Sequence, residues 1–139
     1  MDRVSPESYT HRVNSEPDLF DPLRRYWGYD AFRPLQERIV HSLLDGRDTC
    51  VIMPTGGGKS LCYQLPAAIS SGKTAVVISP LIALMQDQVA QLDLMGIPSA
   101  VLNSSVTPVQ QGKIIEKARA GEYRLLYLPE IAGRREPRR

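Results

Sequence analysis

Hydrophobic positions follow two regimes along this chain. Between Asp18 and Asp45 they recur at helical spacing: Leu19, Leu23 and Trp27 fall at i, i+4 and i+8, and Leu35, Ile39 and Leu43 repeat the interval. The first set predicts a short helix ending near Gly28. The second predicts a helix from Pro34 to Asp45, with proline in the first turn and Gly46 just past the end. From Thr49 onward, short apolar runs take over: "TCVIM", "TAVVIS", "SAVLN" and "RLLYL", each expected to be a strand. Helical patterns separate them. One covers Lys59 to Ser70 and is bent at Pro66. The next runs from Leu81 to Met95, with Ile82, Met85, Val89 and Leu92 expected inward and Gly96 as its stop. A third opens at Thr107-Pro108 and reaches about Gly121. Such alternation predicts an α/β fold of βαβ units, with a parallel sheet buried on both faces.

Composition adds boundaries. A chain of 139 residues, 42% hydrophobic and 23% charged, is enough for one globular domain with a core. No apolar run approaches the ~18 residues of a membrane span. The first twenty residues lack the apolar middle of a secretory signal, so no membrane association and a cytoplasmic location are expected. Residues 1–17 are polar and aperiodic, the expected disordered lead-in to a globular part at 18–130. Residues 1–130 hold 13 Lys and Arg against 14 Asp and Glu, so the net +2 comes from the Arg-rich tail 131–139, "IAGRREPRR". That tail is either a solvated end or a contact for phosphates or acidic lipid. Cys50 and Cys62 have no CxxC spacing and only two histidines for company, which argues against zinc and for two buried small hydrophobes.

The segment "VIMPTGGGKS" carries the chemistry. Its Met53-Pro54-Thr55-Gly56-Gly57-Gly58-Lys59-Ser60 fits Gly-x-x-x-x-Gly-Lys-Ser, with Met53 in place of the first glycine. Glycines allow positive φ and close backbone approach, and successive N–H groups then form a concavity for anionic oxygen. A helix starting at Lys59 adds its positive end. Lys59 supplies a mobile charge for terminal phosphates, and the Ser60 hydroxyl suits Mg²⁺. A plain glycine turn would explain the glycines but not Lys59-Ser60 at that spacing. Upstream, Tyr29 and Arg33 offer flat surfaces for a purine, and Gln36 carries the acceptor and donors that read an adenine edge. From spacing alone, Gln36 is equally well a helical surface residue.

These motifs together resemble the start of a RecQ-family DNA helicase of superfamily 2. The family's adenine pattern L-x-x-x-F-G-x-x-x-F-R-x-x-Q reads here Leu23, Trp27-Gly28, Phe32-Arg33 and Gln36, with Trp for the first Phe. "MPTGGGKSLCYQLPA" is similar throughout, "VVISPLIALMQDQVAQL" resembles motif Ia, and "LNSS" resembles the segment after it. The resemblance covers about residues 19–128. It implies an incomplete RecA-like P-loop NTPase domain with N-terminal helices, and a parent activity of ATP-driven 3′→5′ unwinding of DNA. It also implies that Tyr29, Arg33 and Gln36 hold adenine. Thr55, Gly56, Gly57, Gly58, Lys59 and Ser60 would hold the phosphates and Mg²⁺, with Lys59 catalytic. Ser79, Pro80, Leu81, Ala83, Leu84 and Asn103 would lie along single-stranded or forked DNA. The strand-to-helix turn at Ser79 suits a phosphate on physical grounds too, though an ordinary turn capped by Ser79 explains it equally.

The pattern then departs. "LLYLPEIAGRREPRR" lacks the small residue expected between Leu128 and Pro129, and no Asp-Glu dipeptide occurs in the sequence. The expected consequence is a truncated or frame-disrupted chain that binds ATP at best, with Mg²⁺ and the attacking water missing their carboxylates. Two other classes remain open: another adenine-specific phosphate-loop NTPase, and a non-catalytic fragment binding nucleotide or single-stranded DNA.

Overall fold

A computed structural model describes residues 16–54, 56 and 58–130. The lead-in at 1–15 and the tail at 131–139 lie outside these residues, as do Thr55 and Gly57.

The first helix forms as expected. It begins as α1 (Phe20–Pro22) and continues as a wider π-helical turn, Leu23–Trp27. Gly28, at φ 71°, stops it, donating its N–H to Arg24 O at 3.0 Å. Leu19 and Leu23 point inward and join Val40, Leu61 and Leu65 in one cluster. That cluster fastens α1 and α2 (Gln36–Leu44) to α3 (Lys59–Ile69).

The sheet is fully parallel, with β3 (Leu125–Pro129) between β1 (Ala75–Ser79) and β2 (Ser99–Val101). Ala75 stands opposite Leu125 and Ser79 opposite Pro129; Ser99 also aligns with Leu125. The crossovers are α4 (Ile82–Met95) and α5 (Pro108–Arg119). Thr107 opens α5 with a capping box: its hydroxyl accepts from Gln110 N while the Gln110 side chain accepts from Thr107 N. The main core lies on one face of the sheet. Leu125 and Tyr127 from β3 meet Met85 and Leu92 from α4, Ala67 from α3, and Ile97.

Five expectations need correction. Val51 to Met53 is not a strand. A strand exists through a hydrogen-bonded neighbour, and among the described residues none pairs with this segment. Only Met53 is buried, while Ile52 is 91% exposed. The sheet is not covered on both faces: Ala75 and Val77 pack into the core, whereas Val76 and Ile78 on the opposite face of β1 are exposed. Leu35 does not join Ile39 and Leu43. The turn before α2 is closed by Gln36 N to Arg33 O at 3.1 Å, and by Arg33 N donating to Gln36 Oε1 at 2.8 Å. That closure leaves Leu35 at φ 71°, exposed and ahead of the helix. Ile82, in the first turn of α4, is exposed because that turn has not yet reached the core. Cys62 is buried as expected, but Cys50 shares the exposure of the unpaired segment around it.

Candidate functional site

The glycine loop hangs between α2 and α3. Met53 enters a small cluster with Ile39 and Cys62, which fixes the start of the loop. Gly56 and Gly58 both take positive φ, 83° and 82°. Gly58 is the residue before α3, and glycine is needed there for two reasons. A side chain strains at that φ, and a Cβ would overlap Gln36 Nε2 while standing 3.7 Å from Arg33 Cδ.

The loop carbonyls are taken up by the upstream segment. The Arg33 guanidinium donates to Gly56 O. Gln36 Nε2 donates to Gly58 O at 3.2 Å, and the Cys62 thiol reaches the same oxygen at 3.5 Å. With its carbonyls held this way, the loop leaves the first-turn N–H groups of α3 without intrahelical acceptors. Those groups and the helix dipole favour an anion. Lys59 is exposed at the same point, and among the described residues the ion pairs found lie elsewhere.

These groups open into one cleft of about 540 Å³, within the usual range of about 300–1,000 Å³ for small-molecule sites. Tyr29, Arg33, Gln36, Gly56, Gly58, Lys59 and Ser60 all line it. Tyr29 is half-exposed, as a stacking surface requires. Gln36 is different: only 3% exposed, with Oε1 and Nε2 each already bonded to backbone. It retains one amide hydrogen and one lone pair. Among the described residues no group of three or more His, Cys, Asp and Glu gathers to hold a metal. The Ser60 hydroxyl is the protein's candidate ligand, the donor type Mg²⁺ accepts beside phosphate oxygens and water.

The residues singled out for nucleic acid do not all behave alike. Pro80, Leu81, Ala83 and Leu84 are exposed, and Ser79 Oγ accepts from Leu81 N at 3.2 Å, holding the turn into α4. Leu84 also lines the nucleotide-sized cleft. Asn103 is set apart: it is 5% exposed and its Oδ1 accepts from Ser105 N at 2.9 Å and from the Ser105 hydroxyl. Its side chain closes the loop before α5. Residues not foreseen from sequence also line the cleft, among them Trp27, Gln64, Gln88, Gln91 and Met95. Leu84, Gln88, Gln91 and Met95 recur at helical spacing, a stripe that the mixed polarity of its members concealed.

A parallel sheet crossed by helices, with a Gly-Lys-Ser loop at the start of α3, is part of a RecA-like P-loop domain. The chain belongs to the DEAD/DEAH box helicase family, which matches residues 33–130. Among its relatives, the ATP-dependent DNA helicase RecQ of Haemophilus influenzae is 45% identical over 117 residues, 84% of this chain and 19% of that protein. The RecQ protein of Synechocystis is 44% identical over 110 residues, 79% of this chain and 23% of that protein. The bifunctional 3′-5′ exonuclease/ATP-dependent helicase WRN of Mus musculus is 40% identical over 132 residues, 94% of this chain and 9% of that protein. The chain spans about a fifth of the length of these RecQ proteins. Among the described residues, no helix is long and apolar enough to cross a membrane.

Proposed function

We propose that residues 18–130 form the ATP-binding portion of a RecQ-type ATP-dependent DNA helicase, acting in the cytoplasm on single-stranded or forked DNA with 3′→5′ polarity. Tyr29 and Arg33 stack and position adenine, and Gln36 reads its edge with the hydrogen and lone pair it has left. The N–H groups from Thr55 to Ser60 receive the phosphates, Lys59 neutralises their charge, and Ser60 ligates Mg²⁺. Ser79, Pro80, Leu81, Ala83 and Leu84 offer an exposed turn and a helix N-terminus to a DNA strand. Asn103 supports that surface by shaping its own loop. We further propose that these 139 residues bind ATP–Mg²⁺ without turning it over, since no Asp or Glu lines the described part of the cleft to position a water.

One observation carries the reading. Arg33 and Gln36 lie 23 and 22 residues before Gly56 and Gly58, yet each bonds that loop carbonyl inside the cleft that also holds Lys59 and Ser60. Titration calorimetry with ATP–Mg²⁺ and GTP–Mg²⁺ tests it. The expected result is ATP bound at least about tenfold more tightly than GTP, and an affinity lowered about tenfold or more by Lys59→Ala. Equal ATP and GTP affinities would remove the base-reading role, and an unaffected Lys59→Ala variant would remove the loop's.

A further inference from the structure

α3 and α4 both border the cleft, and a polar contact between side chains joins them. α4 presents two stripes: Met85 and Leu92 sit in the core, while Leu84, Gln88, Gln91 and Met95 face the cleft with Lys59 and Ser60. Its first turn is the exposed segment that follows Ser79. α3 starts at Lys59 and packs closely on α2 but only loosely on α4. One turn into α3, the Tyr63 hydroxyl donates to Gln88 Oε1 at 2.8 Å across 25 residues of sequence. Behind it, the buried Gln64 donates from Nε2 to the hydroxyl of fully buried Tyr127 at 3.1 Å. Gln88 is therefore held by α3, which Gln64 in turn ties to the central strand. A side chain lining the cleft is fixed by the phosphate-loop helix, on the helix whose first turn is the exposed Ser79–Leu84 segment.

We propose that Tyr63 and Gln88 are positioning residues that couple the nucleotide cleft to the Ser79–Leu84 turn. This rests on the ATP and DNA reading above. Their hydrogen bond sets where α4 stands relative to Lys59. A ligand in the cleft that favours one placement of α4 then changes the affinity of the turn for a strand, and the strand changes nucleotide affinity by the same factor.

The test uses the full 139-residue chain, titrated with a fluorescent, non-hydrolysable ATP analogue and Mg²⁺, with and without saturating oligo-dT. The wild-type chain is expected to show affinities differing by at least about fivefold between the two conditions. Tyr63→Phe should leave affinity without DNA within about twofold and bring the ratio close to one. Gln88→Leu should also lose the ratio, while Gln88→Glu, which keeps an acceptor, should restore it. A contact that served stability alone would lower melting temperatures and leave the ratio in place. Retention of the wild-type ratio in Tyr63→Phe and Gln88→Leu overturns the proposal. So does a ratio of one in a wild-type chain that binds the nucleotide. A wild-type chain that binds no nucleotide overturns the ATP reading and this coupling together. Should Tyr63→Phe fail to fold, the comparison of Gln88→Leu with Gln88→Glu decides.

Discussion

Replacing Gly58 by alanine probes the site at its tightest point, and the structure separates two costs. The first is local: alanine at φ 82° loses about 1–2 kcal/mol relative to glycine in the left-handed region. The second is a collision, because the new Cβ would overlap Gln36 Nε2. Gln36 is 3% exposed and cannot swing into solvent without giving up its bonds to Gly58 O and Arg33 N. Breaking those bonds costs about 1–3 kcal/mol, since the groups left behind are partly buried. The sum is about 2–5 kcal/mol for Gly58→Ala. In a Gln36→Ala background the collision is gone and only the φ cost of about 1–2 kcal/mol remains. Urea denaturation of the four proteins in this cycle measures the difference. A Gly58→Ala penalty that is the same in both backgrounds would refute the contact between Gln36 and the loop. A penalty below about 0.5 kcal/mol would refute the φ assignment as well.

Two more outcomes follow from features away from the loop. Burial pushes the hydroxyls of Tyr63 and Tyr127 above the ordinary tyrosine value of 10.0. Because the folded state favours the neutral form, their contribution is full below pH 10.0 and is lost progressively as pH rises above it; melting temperature followed from about pH 8 to about pH 11 should fall less steeply in Tyr127→Phe than in the wild-type chain. Thr107→Ala removes the hydroxyl that caps α5, a helix with no buried residue to hold it, so its amides should exchange about fivefold faster. Unchanged exchange along Pro108–Arg119 would show that the cap contributes nothing.

What the sequence disclosed was what is settled locally. α4 and α5 carry their stops and caps within a few residues of themselves, at Gly96 and at Thr107 to Gln110, and both formed where expected. The junction of the glycine loop with α3 at Gly58 and Lys59 was legible for the same reason: its signal lies within a few adjacent residues. Val51 to Met53 misled because an apolar run does not show whether a neighbour is there to receive its hydrogen bonds. Leu35 misled because the Gln36 amide competes with the helix for the Arg33 backbone, and no periodic pattern registers that. Gln64, Gln88 and Gln91 were out of reach because their place in the cleft depends on how α3 and α4 settle against each other.

The absence of a strand before the glycine loop changes what holds that loop in shape. With Val51 and Ile52 outside the sheet, the cradle is suspended from the helical layer like a bracket, by Met53 against Ile39 and by Arg33 and Gln36 on its carbonyls. That layer is anchored to α3 through Leu19, Leu23 and Val40. Loosening those distant leucines would therefore deform the loop while the pairing of the three strands stayed intact. Remote control over the loop belongs to the segment from Leu19 to Val40.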